Sequence, residues 1–162
     1  MALNVDSQQA LRVLRQCAFF EEFGHEELRI VADFLDVRGG QRGDVLYFES
    51  ERGDSMYIVG QGRLELLVTD HEDHARLVGW IGPTESFGEI GLLLQNKRML
   101  TVRATNEVAL YELSAESFAA MRVQFPDVAL LVTLSIVKRF GVVLEASQEL
   151  LRNIMLSQLN RV

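Results

Sequence analysis

The sequence predicts an α+β fold, an antiparallel β-barrel or jelly roll with helices before it and one long helix after it. Three observations predict it. Residues 7–35 place apolar side chains at helical spacing, residues 36–113 are short β-branched and aromatic runs broken by glycine, and from residue 114 a helical period returns. The 162 residues therefore divide into an N-terminal helical segment (1–35), a β region (36–113) and a hinge helix followed by a long C-terminal helix (114–162).

The first helix is expected from about Ser7 to Cys17, with Leu11, Val13, Leu14 and Cys17 as its apolar positions and Ser7 as a cap. A second is expected from His25 to Leu35 on the stripe Leu28, Ile30, Val31, Phe34 and Leu35. Phe19, Phe20 and Phe23 between them read as a hydrophobic corner. The runs VRGG, VLYF, MYIVG, GRLELLV, ARLVGWIG, MLTVRA and VALYEL then read as strands. Gly43-Asp44, Gly53-Asp54 and the Gly60/Gly62 pair lie between them, where glycine permits the positive φ angles of tight turns. Short antiparallel strands at this spacing close around a core or a ligand.

Ser114 and Ser117 open a helix that runs to Phe125, and Pro126 restarts it, because the residue before proline leaves the helical region while proline fits a first turn. A hinge is expected at Phe125-Pro126. A final helix from Asp127 to Leu159 would be on the order of 50 Å long. Its seam, Leu130, Leu134, Val137, Gly141, Leu144, Gln148, Leu151 and Met155, is spaced alternately by four and three, and a second row holds Ile136, Phe140, Val143, Leu150 and Ile154. One row is expected on the barrel and the other on a second copy of the chain, giving a parallel homodimer. A monomer that folds the helix back on itself is the alternative.

The charge of −7 argues against a surface committed to nucleic-acid phosphates, yet leaves room for a local cationic pocket. Cys17 is the only cysteine, so no intramolecular disulfide can form, and it reads as a buried small hydrophobe. The N-terminus has no basic start leading into an apolar block, and no apolar run reaches the ~20 residues of a membrane span. A cytoplasmic protein without membrane contact is expected. No Ser-His-Asp order, nucleophile elbow or Walker loop is present, so an enzyme is not expected. HEDH, residues 71–74, reads as a hairpin tip rather than a metal site.

One stretch departs from plain core composition. FGEIGLLLQNKRMLTV, residues 87–102, carries Glu89 near one end and Arg98 near the other. Glycines at 88 and 91 followed by leucines suit a loop entering a short helical turn, whose free N–H groups attract an anion. Arg98 could close on a phosphate through paired hydrogen bonds and Glu89 could accept from a sugar hydroxyl. The plain alternative is a Glu89–Arg98 ion pair across a loop.

The stretch FGEIGLLLQNKRMLTVRA resembles the phosphate-binding cassette of cyclic nucleotide-binding domains, and RGDVLYFESERGDSMYIVGQGRLELLV is similar to that family's early strands. The resemblance spans about residues 10–150. It implies that Glu89 binds the ribose 2′-hydroxyl beside a backbone contact from Gly88. Arg98 would neutralise the cyclic phosphate with help from the N–H groups of Ile90, Gly91 and Met99. Val143 and Leu144 would cover the base from the final helix, with the partner chain as a further source. The residue after Arg98 is Met99, without the hydroxyl associated with cGMP selection, which favours cAMP over cGMP. Met99 and Leu100 stand where the family has small side chains, so the alternative is a filled pocket on an interaction module. Regulators of the catabolite activator type in this family carry a helix-turn-helix after the long helix, for which Val162 leaves no room, so no nucleic acid is expected on these residues. The implied function is a sensor for a cyclic nucleotide that acts on its C-terminal helix, without cofactor or metal, and with an unspecified downstream protein partner.

Overall fold

The computed structural model describes residues 7–159. The ends of the predicted 1–35 and 114–162 segments, residues 1–6 and 160–162, lie outside the described residues, as does the side chain of Ile154. Helix α1 spans Ser7–Gln16, and Ser7 is the first described residue. One turn of 3-10 helix (Ala18–Phe20) leads to α2 (His25–Asp33). Phe19, Phe20 and Phe23 meet edge to face, with centroids 4.8 and 5.1 Å apart, and form the predicted corner.

Eight strands follow: β1 (Asp36–Gly40), β2 (Val45–Tyr47), β3 (Ser55–Gln61), β4 (Leu64–Thr69), β5 (Ala75–Ile81), β6 (Ser86–Phe87), β7 (Thr101–Ala104) and β8 (Val108–Ser114). They form two four-stranded antiparallel sheets, ordered β1-β8-β3-β6 and β2-β7-β4-β5. The result is a jelly-roll-like pair of sheets and not a closed barrel, so of the two expected forms the jelly roll is the one built. His71 and His74 sit in the β4–β5 hairpin tip, where Asp70 accepts from the Glu72 and His74 amides.

The alternation of β3 explains how the layers stack. Met56 and Ile58 face the helices with Leu14, Phe20, Val31 and Val132, whereas Tyr57 and Val59 face the other sheet with Leu64, Val102 and Leu110. Both faces are covered, so the strand reads as continuously apolar instead of alternating. Burying Met56 or Ile58 stabilises the fold by about 1.5–3 kcal/mol each.

Within the sheet core Tyr57 donates to Glu112 Oε1 at 3.0 Å, and Glu112 is also paired with Arg38. Burial, followed by the Glu112 charge, pushes the Tyr57 phenol up to about 12, and burial does the same to Tyr47. Raised values mean that folding favours the neutral phenols. Their contribution is complete below the ordinary value of 10.0 and is lost as pH climbs towards about 12. Stability in denaturant titrations is therefore expected to be unaffected by these groups up to about pH 10 and to fall above it, with the absorbance at 295 nm showing two late tyrosines.

Between β6 and β7 runs α3 (Glu89–Leu94). Ser114 caps α4 (Ala115–Gln124) by accepting from the Ser117 amide. Phe125 leaves the helical region at φ −138° and ψ 67°, and α5 (Pro126–Leu159) starts at the proline as expected. Its core-facing positions are Val128, Ala129, Val132 and Ile136. Among the described side chains of the predicted second row, only Ile136 packs on the body. Phe140, Val143 and Leu150 are exposed, as are the seam residues Leu134, Val137, Leu144, Leu151 and Met155.

Candidate ligand-binding site

The site begins where β6 ends. Gly88 takes φ +79°, which only glycine adopts without strain, and this turn sends the chain from β6 into α3. Gln95 closes α3 in a left-handed conformation, and residues 95–98 then run beside the turn that precedes β3. The Ser50 and Gly53 amides donate to Arg98 and Asn96 carbonyls at 2.8 and 2.9 Å, the Arg98 amide donates to Glu51 at 2.7 Å, and Arg52 reaches the Gln95 side chain at 2.7 Å. The loop carrying Arg98 is thus stitched to the connection between β2 and β3.

Arg98 is 8% exposed. Its Nη2 donates to the Ser55 carbonyl at 2.9 Å and its Nη1 to the Gly88 carbonyl at 3.2 Å, while Tyr47 presents its ring 4.3 Å from Cζ. Among the described residues no carboxylate pairs with it. The simple Glu89–Arg98 ion pair is therefore not what the chain builds. Glu89 Oε1 instead meets Nε of Arg139, from α5, at 2.6 Å, and Arg139 also donates to the Ser86 carbonyl at 3.2 Å.

Gly88, Glu89, Ile90, Gly91, Arg98 and Met99 line one open cavity of about 350 Å³. Tyr47, Leu66, Ile81 and Leu100 supply its apolar wall, and Arg139 its edge on α5. That volume is within the usual range for small-ligand sites, roughly 300–1,000 Å³. Met99 is 77% exposed, so its side chain lies mostly in solvent at the rim and not in the arginine's slot. Val143 and Leu144 do not line the cavity and are 52% and 47% exposed. The α5 residue at the site is Arg139, one turn earlier. Its signal in the sequence is the Lys138-Arg139 pair interrupting an apolar stretch of helix. Tyr47 carried no signal beyond strand propensity.

A protein-family model described as the cyclic nucleotide-binding domain matches residues 40–124. The chain belongs to that family. The cyclic AMP receptor protein of Thermus thermophilus is 26% identical over 110 residues, 68% of this chain and 51% of that protein. The N-terminal domain of a transcriptional regulator from Streptomyces coelicolor A3(2) superposes with a TM-score of 0.75 at 26% identity, covering 83% of this chain and 96% of that one. The regulatory domain of Toxoplasma gondii PKA, crystallised with cAMP, superposes with a TM-score of 0.65 at 28% identity, covering 73% and 46%. The chain spans between 24% and 51% of the lengths of the first curated relatives it matches. Among the described residues no helix is long and apolar enough to cross a membrane.

Proposed function

We propose that this cyclic nucleotide-binding domain binds cAMP in preference to cGMP, works as a regulatory module and not as an enzyme, and passes the binding event to α5. The carrying observation is Arg98, a guanidinium buried at the wall of a cavity without a carboxylate partner among the described residues. A buried cation without a counter-charge is costly, and an anion entering the cavity would relieve that cost. The cyclic phosphate supplies one negative charge there. Glu89, also at the wall, accepts from the ribose hydroxyl, and the purine lies against Leu66, Ile81 and the Met99 stem.

Transmission is supported by Arg139. Its ion pair with Glu89 makes the ribose-binding carboxylate part of the seat of α5, so an occupant that donates a hydrogen bond to Glu89 changes what holds the helix. A ligand shifts the helix by its difference in affinity for the two helix positions, and Phe125-Pro126 is where the chain turns. Val143 and Leu144 take up the role of a lid over the base when α5 swings inward from that hinge. The C-terminal helix also joins two copies of the chain.

Isothermal titration with cAMP and cGMP tests the reading. Saturable heat with tighter binding of cAMP, and a melting temperature that rises with ligand by mass action, are expected. No heat and no thermal shift with either nucleotide at about a hundredfold excess over micromolar protein would sink it. The domain would then be an interaction module whose pocket Met99 and Leu100 restrict.

A further inference from the structure

Gly53 reads in the sequence as a turn glycine, yet its φ is not among the positive values found at Gly43, Gly62 and Gly88. Its lack of a side chain has another use. A Cβ built there would lie 2.6 Å from Arg98 Cζ and 2.7 Å from Arg98 Cδ, and the three nearest atoms all belong to that one side chain. Carbon atoms in contact sit about 3.5–4.0 Å apart, so a methyl and the guanidinium cannot share the space. Gly88 and Gly91 also border the guanidinium, with built Cβ atoms 2.7 and 2.8 Å from Nη1. At Gly88 the positive φ and the Ser55 carbonyl at 2.9 Å would strain any substitution, and at Gly91 the Gly53 backbone lies 3.2 Å away. Of these three glycines, only Gly53 has all three of its nearest atoms in the arginine side chain.

We propose that Gly53 is a positioning residue for Arg98. The volume its absent side chain leaves is the slot in which the guanidinium is held, with the Tyr47 ring on it and the Gly88 and Ser55 carbonyls as acceptors. The same turn donates the Gly53 amide to the Asn96 carbonyl, so slot and arginine loop are registered to each other by backbone hydrogen bonding. A single methyl at Gly53 evicts the guanidinium while leaving the backbone conformation accessible. The consequence for ligand binding rests on the reading of Arg98 as the phosphate-binding group, but the consequence for the arginine itself does not.

Four proteins test this: wild type, Gly53→Ala, Arg98→Ala and the double variant. The Arg98 Nε–H resonance, identified by its loss in Arg98→Ala and displaced by the Tyr47 ring in wild type, is expected to move to the position of an exposed arginine in Gly53→Ala. Affinity for cAMP is expected to fall about tenfold or more in the same variant. In a double-variant cycle on stability, the methyl that destabilises wild type is expected to cost nothing once Arg98 is alanine. An unmoved Arg98 resonance with affinity within about twofold of wild type overturns the proposal. So does equal destabilisation by the methyl in both backgrounds, which would place the need for glycine in the backbone. If Gly53→Ala does not fold and the double variant does, the proposal stands, and if neither folds it falls. A wild type that takes up no cyclic nucleotide overturns the ligand reading alone, because the resonance and the stability cycle still decide the role of Gly53.

Discussion

Replacing Arg98 by alanine is expected to weaken cAMP binding by at least about a hundredfold while the protein remains folded. Hydrogen bonds to a charged group contribute about 1.5–3 kcal/mol each, and a cyclic phosphate can take two from one guanidinium, so a loss of roughly 3 kcal/mol is a conservative figure. The stability change is expected to be far smaller in relation. The variant gives up the ring contact with Tyr47 and leaves the Gly88 and Ser55 carbonyls without their donor, but it also removes a buried charge that has no carboxylate partner among the described residues. Arg98→Lys separates charge from shape. An ammonium keeps the positive charge but has no planar fork for two carbonyls and a phosphate, so an intermediate loss of about tenfold is expected. Calorimetric titration of the three proteins at one salt concentration measures this, and Arg98→Ala binding cAMP within about twofold of wild type would remove the arginine from the site.

The parts of this structure that were legible from the sequence are those whose cause is local. Strand runs, the corner of Phe19, Phe20 and Phe23, the break at Phe125-Pro126 and the cassette with Glu89 and Arg98 all announce themselves through period, turn chemistry or a motif. The parts that were not legible depend on how distant elements meet. Period 2 gives the faces of β3 and β8 but not whether the sheets close, and the two-residue β6 is too short to show a pattern. By rough alignment from Pro126, the family resemblance implies Val143 and Leu144 as the residues that would cover a base. The helix is instead seated by Val128, Val132 and Ile136 on the core, and that seat brings Arg139 to Glu89. Whether Gly53 is glycine for its φ or for its empty space is likewise invisible until Arg98 is seen lying against it.

The same seat leaves most of α5 without support from its own chain, and this carries the larger expected effect. From Phe140 onward every described side chain except the position of Gly141 is exposed, although Leu144, Leu150, Leu151, Met155 and Leu156 are among them. An unsupported helix of this length is marginal in water, because most helical stability in proteins comes from packing an apolar face. The exposed seam Leu134, Val137, Leu144, Leu151 and Met155 has the four-three spacing of a two-stranded coiled coil, so a second copy of the chain is the proposed cover. Two substitutions, Leu134→Glu and Leu151→Glu, remove four leucines per dimer. At about 2 kcal/mol each they should cost on the order of 8 kcal/mol of association, a rise in dissociation constant of about five to six orders of magnitude. Light scattering on a sizing column is expected to give twice the chain mass for wild type and the single chain mass for the variant, with weaker helical ellipticity but a cooperative melt retained by the sheet core. A wild type that runs as a monomer at about a hundred micromolar would show that α5 is covered by something other than its copy, and a variant that stays dimeric would move the interface off this seam.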